Sequence, residues 1–181
     1  MSQGKSVNAS ATRIILGIGA NLVPDGYETP QQGCSAALEQ LVQHDITILE
    51  QSRWFETAPV PISDQSWFVN AVILAETALS AAAVLAALHH IENQFGRTRN
   101  QRNEARVLDI DLLDYDGMVS GSDELTLPHP RMHERAFVLL PLYDVVPDWV
   151  HPVTRRSIST LIAALPGDQM IRPMVDDAPD G

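Results

Sequence analysis

The sequence predicts an α+β fold, an antiparallel sheet with helices packed on it, from three observations. Short β-branched runs alternate with two stretches of helical periodicity, and their order is strand, helix, strand, strand, helix, strand. The composition, 45% hydrophobic and 19% charged over 181 residues, is that of a single domain with one well-filled core.

Each element has its own signal. Residues 13–19 are an apolar, β-branched run closed by glycines, which reads as a strand. Over 35–43, Ala37, Leu38, Leu41 and Val42 share one helical stripe. Residues 46–56 and 67–76 read as strands, separated by a loop holding Pro59 and Pro61. Residues 79–95 form a helix, with Ser80 as N-cap and Gly96 as its stop. Residues 106–115 alternate as a strand, and Asp116-Gly117 marks a turn. The order β-α-β-β-α-β is the ferredoxin-like plan. Right-handed crossovers then put the first and third strands at the centre of the sheet and both helices on one face. A C-terminal hairpin, a Pro-rich turn at 127–130 and two short helices near 136–144 and 158–165 follow. Residues 1–12 and 167–181 lack periodicity and read as flexible tails around a domain at 13–166.

Charge and composition narrow the function. The net charge of −11 argues against nucleic acid, whose recognition rests on a broad basic face. The apolar run 78–88 is too short to cross a bilayer. No apolar block of signal-peptide length opens the chain, and Cys34 is the sole cysteine, so a cytoplasmic location is expected. Of the 12 basic residues, all but one are arginine, and Arg97, Arg99, Arg102 and Arg106 fall within ten positions. Arginine suits bidentate contacts to phosphate, so one cluster in an acidic chain points to a small anionic ligand.

The sharpest feature is Asp109-Ile110-Asp111 within an apolar strand. Side chains two apart on a strand share a face, so the carboxylates project together while Leu108, Ile110 and Leu112 take the other face. Such a pair needs a positive partner, and Mg²⁺ shared with substrate phosphates fits. Arginines on a solvated strand face are the alternative partner. The arginine cluster just ahead of this strand adds the cations that phosphoryl transfer requires, although a basic loop paired with surplus acids would look the same. Gly17-Ile18-Gly19-Ala20-Asn21 closes the first strand, where glycines allow close backbone approach or merely a turn. His129 sits between two prolines, ahead of Arg131, His133 and Arg135.

In this order, the strings GIGANL, SRWFETAPV, WFVNAV, IENQFGRTR, RVLDIDLL and LPHPRMHERAFVLLPL resemble the hydroxymethyldihydropterin pyrophosphokinase family over residues 14–165. The resemblance implies transfer of the β,γ-diphosphate of ATP to the hydroxymethyl group of 6-hydroxymethyl-7,8-dihydropterin, leaving AMP, in folate biosynthesis. It implies that Asp109 and Asp111 are ligands of two Mg²⁺ ions. Arg97 and Arg99 would act with them from a loop closing over ATP, which also carries Arg102. Arg106, His129 and Arg135 would hold the phosphates, and Glu92 would lie near the nucleotide. Thr57, Ala58, Val60, Phe68, Asn70 and Phe137 would form the pterin pocket, with the two phenylalanines sandwiching the ring.

Three positions depart from the family's common pattern. Ala20 replaces a serine, Asn103 stands where a capping tryptophan is usual, and Pro130 replaces a tyrosine. The Asn103 change predicts weaker pterin binding. The implied partners are the two small-molecule substrates alone, with no membrane or nucleic acid, and the expected state is a monomer. The competing reading is a silent or substrate-shifted relative that serves as a nucleotide- or pterin-binding module.

Overall fold

The structure, a computed structural model, describes residues 11–59, 61–96 and 105–175. It runs β1 Thr12–Ala20, α1 Pro30–Leu41, β2 Ile46–Gln51, β3 Phe55–Thr57, β4 Phe68–Thr77, α2 Ala81–Gln94 and β5 Asp109–Tyr115. A two-stranded hairpin of β6 Ser120–Gly121 and β7 Thr126–Leu127 follows, then α3 Ala136–Val145, α4 Ile158–Ala163 and β8 Ile171–Pro173. The main sheet has the order β5-β1-β4-β3-β8, with β2 also on β4, and its pairings are antiparallel. β1 and β4 therefore lie inside the sheet, as the crossover argument expects.

Helices cover both faces. On one, Leu16, Ile18, Ile73 and Ile110 pack with Leu38 and Leu41 of α1 and Val84, Leu88 and Ile91 of α2. On the other, Ile15, Val72 and Leu113 pack with Leu139 and Leu142 of α3 and Ile158 and Leu161 of α4. These alternating sets follow from the period of two along each strand. The second helical layer is short, and the part of the sheet it leaves open becomes the site.

Local chemistry sets the helix ends. Ser80 Oγ accepts from Ala83 N at 3.3 Å, and Gly96 takes φ +82°, as a cap and a stop should. α1 begins five residues earlier than its apolar stripe indicates. Thr29 caps it, accepting from Gln32 N, and Pro30 occupies the first turn. Gly33 is required inside it, since a Cβ there would lie 2.4 Å from Pro24 Cγ. Val42 leaves the stripe: the chain tightens into a 3₁₀ turn over Val42–His44, and Val42 is exposed.

Two expected strands and one expected tail change. The run expected at 46–56 divides into β2 and β3, because the β2–β4 register shifts between Ile48 and Glu50 and Ser52 intervenes. Ser52 Oγ accepts from Val72 N while Ser52 N donates to Val72 O, both at 2.9 Å, so a hydroxyl replaces one rung of the ladder. The strand expected from 106 begins at Asp109. Its alternation breaks where the β1–β5 register shifts between Ile15 and Leu16. Leu113 and Asp114 then both meet the α3 layer, with Asp114 Oδ2 accepting from Trp149 Nε1 at 2.7 Å. The described part of the expected C-terminal tail is ordered: β8 pairs with the open edge of β3, and Arg172 reaches Glu56 across that pair. A short strand on an unpaired edge carries little periodicity, which hid it from the sequence.

Candidate active site

A cavity of about 930 Å³ opens on the sheet face that α3 leaves bare. Its floor is Gly17 and Gly19 of β1, Asn70 of β4 and Asp109, Asp111 and Leu113 of β5. Gly19 stands between Asn70 and Asp109, and Gly17 between Val72 and Asp111. The glycines keep the floor low: a Cβ on Gly19 would lie 2.6 Å from Asn70 Oδ1. The walls come from three segments: Thr57 to Ile62, with Val60 outside the described residues; Arg131, Glu134, Arg135 and Phe137; and Asp168, Gln169 and Met170.

At the acidic end, Asp109 and Asp111 both reach the cavity from one face of β5. Arg106 also lines it and pairs with Asp109. The backbone of Arg106 is held by Asn21: Arg106 N donates to Asn21 Oδ1 at 2.7 Å, and Arg106 O accepts from Asn21 N at 2.9 Å. Asn21 is buried, so the end of the glycine-rich motif ties β1 to the arginine in front of β5. Arg131 and Arg135 line the same cavity as Asp111, close enough for their charges to act on one another. Burial pushes the Arg135 guanidinium down, Arg131 and Arg106 add to the fall, and Asp111 opposes it. Arginine remains charged under such shifts, so this wall is a concentrated cationic surface.

His129 stands at the same end but does not line the cavity. Its backbone N donates to Leu113 O at 2.8 Å. Burial pushes its imidazole below the ordinary value; Asp111 opposes that shift, while Arg135 and Arg131 reinforce it. Glu92, the residue expected near the nucleotide, stands on the buried face of α2. It is 1% exposed, and its Oε1 accepts from Ile110 N at 2.8 Å on the helix-covered side of β5. It thus holds the backbone between the two aspartates. Arg97, Arg99 and Arg102 lie outside the described residues.

The other end is neutral and aromatic. Phe68 and Phe137 are half-buried on the cavity wall. Asn70, buried on an apolar strand, donates through Nδ2 to Thr57 Oγ1 at 2.8 Å. Thr57 and Ala58 line the same end, and Ala58 N donates to Met170 O at 3.1 Å. The described residues expected at a pterin thus come together at one end of one cavity, and Asp109, Asp111, Arg106 and Arg135 at the other.

The model of the 7,8-dihydro-6-hydroxymethylpterin-pyrophosphokinase (HPPK) family matches residues 15–147. The chain belongs to that family. A Haemophilus influenzae 2-amino-4-hydroxy-6-hydroxymethyldihydropteridine pyrophosphokinase is 35% identical over 158 residues, 87% of this chain and 95% of that protein. Its counterpart from Methylorubrum extorquens is 36% identical over 144 residues, 77% of this chain and 85% of that one. The folic acid synthesis protein fol1 of Pneumocystis carinii is 36% identical over 77% of this HPPK chain, which spans only 19% of that longer protein. In three dimensions, Plasmodium falciparum HPPK-DHPS superposes with a TM-score of 0.66 at 14% identity, covering 87% of this chain and 46% of that one. At that identity the likeness concerns the fold.

Among the cavity residues that the sequence did not assign to the site of this HPPK chain are Arg131 and Gln169. Arg131 was visible as part of a basic run, but nothing in the run showed that it lines the same cavity as Arg135. Gln169 had no signal, since it stands in a stretch without periodicity.

Proposed function

We propose that this HPPK chain transfers the β,γ-diphosphate of ATP to the hydroxymethyl group of 6-hydroxymethyl-7,8-dihydropterin, giving AMP and the pterin diphosphate. One observation carries the proposal: a single cavity joins an aromatic, amide-bearing end to a paired-carboxylate end walled by arginines. The pterin ring lies between Phe68 and Phe137, with Asn70 and the Thr57–Ala58 backbone on its polar edge. The triphosphate lies against Arg106, Arg131 and Arg135, with His129 behind them. Family membership and the cavity support this reading together.

The donor set fits Mg²⁺. Asp109 and Asp111 offer hard oxygens on one strand face, and among the described residues no group of three His, Cys, Asp or Glu could complete a protein-only site. Substrate phosphates and water would supply the remaining ligands, the arrangement this ion favours. Two bound Mg²⁺ ions would neutralise charge developing on the transferred group. The arginines orient the chain of phosphates so that the β-phosphorus faces the pterin hydroxyl. Arg97, Arg99 and Arg102 belong to the segment that would close over ATP and exclude water. The strand order β5-β1-β4-β3 also supports a ferredoxin-like plan, and we read the chain as a cytoplasmic monomer.

Incubation with ATP, Mg²⁺ and 6-hydroxymethyl-7,8-dihydropterin, followed by separation of the nucleotides, tests the reaction. AMP formed only with the pterin is the expected result. Formation of ADP would mean transfer of a single phosphoryl group and would overturn the assignment.

A further inference from the structure

The C-terminal segment lies beyond residue 147, where the family match ends, yet it contributes a wall of the cavity. β8 fixes it against β3, with Thr57 opposite Ile171, so it is anchored to the same strand that carries the neutral end. From there Gln169 reaches the start of α3. Its Oε1 accepts from Ala136 N at 2.8 Å, and its Nε2 donates to Glu134 O at 2.8 Å.

Those two backbone groups flank Arg135. Arg135 is the N-cap of α3, extended at φ −115° and ψ 117°, and no side chain within the helix's own first turn satisfies the end. A helix start leaves N–H groups that need partners, and here one comes from a residue 33 positions away. The bridged segment also sets the Arg135 guanidinium over the Phe137 ring, 5.3 Å from its centroid. One amide therefore brackets the residue that joins the cationic and aromatic ends of the cavity.

We infer that Gln169 is a positioning residue for substrate binding, acting through Arg135 by bridging Glu134 and Ala136. This inference rests on the proposed function, in which Arg135 faces the phosphates. Calorimetry with a non-hydrolysable ATP analogue and Mg²⁺ tests it on four proteins: wild type, Gln169→Met, Arg135→Ala and the double variant. Gln169→Met keeps the length of the side chain and removes both hydrogen bonds. It is expected to weaken the analogue about five- to tenfold. In the Arg135→Ala background the same substitution should cost no further affinity, since the residue it positions is gone. A merely structural role would lower the melting temperature and leave the loss equal in both backgrounds. Gln169→Glu, which keeps the acceptor for Ala136 N and loses the donor to Glu134 O, supplies the same comparison if the Met variant does not fold. Wild-type affinity in Gln169→Met, or an undiminished loss beside Arg135→Ala, overturns the inference. If Arg135→Ala alone binds the analogue like wild type, the phosphate end is misassigned and the positioning role falls with it.

Discussion

Gly19→Ala is the sharpest perturbation of the site, because one methyl group strikes a single side chain. The added Cβ would stand 2.6 Å from Asn70 Oδ1, short of the 3.4 Å where ordinary contact begins. The amide must retreat by roughly 0.8 Å, which forfeits good contact geometry. Asn70 has little freedom to do so: it is 6% exposed, and its Nδ2 is held by Thr57 Oγ1 at 2.8 Å. Breaking that bond costs about 1 kcal/mol, and overpacking adds about 1–3 kcal/mol. Loss of unfolded-state freedom at the former glycine offsets about 0.4–1 kcal/mol. The expected net destabilisation is about 1–3 kcal/mol in urea denaturation. Pterin affinity by calorimetry should fall about tenfold, since the displaced amide is the group proposed to read the ring edge. Gly17→Ala is the matched control. Its Cβ would meet Leu113 Cδ1 at 3.2 Å, the end of a flexible side chain rather than the held amide of Asn70, so pterin affinity should fall less than in Gly19→Ala. If Gly19→Ala binds the pterin like wild type, Asn70 is not held against the ligand by the glycine floor and the assignment of the neutral end fails.

Three further outcomes follow from buried groups. Trp149→Phe removes the donor to the buried Asp114 Oδ2 and should cost about 1–3 kcal/mol in chemical denaturation; no change would mean that solvent already reaches the carboxylate. Burial pushes the His151 imidazole down, with His133 adding to the shift and Asp114 opposing it. The unfolded chain therefore binds the proton more readily, so stability from this group is present above the ordinary imidazole range and is lost as pH falls through it. His151→Gln should flatten the fall in stability between about pH 7 and 5, and an unaltered slope would refute the shift. Cys34 is fully buried and its thiol is pushed up to about 12 by burial, so an aromatic disulfide reagent at pH 8 should label it only after unfolding.

Much of this architecture was legible in local pattern. The β-branched runs, the Ala-rich helix with Ser80 and Gly96 at its ends, and the Asp116-Gly117 turn are short-range signals. Asp116 and Gly117 both take positive φ, 48° and 70°, as such a turn demands. The shared face of Asp109 and Asp111 needed only the period of a strand. Motif order then brought Asn70, Phe68, Phe137, Arg106 and Arg135 into one expectation, and one cavity contains them all.

Tertiary structure decided what periodicity does not encode. Glu92 is a buried support of Ile110 because α2 lies behind β5, a matter of which sheet face a helix covers. The split between β2 and β3 arises from a register shift and one serine hydroxyl, which are invisible to a pattern of apolar residues. Arg131 and Arg135 line one cavity only because the chain between β7 and α3 turns at Met132–Glu134. Gln169 reaches Ala136 only because an edge of β3 was left for β8 to pair. Local sequence chooses helix or strand and the face each residue shares, because those depend on neighbours a few positions away. Partners across the cavity depend on which segment fills an edge or covers a face, and that choice is made by packing between residues far apart in the chain.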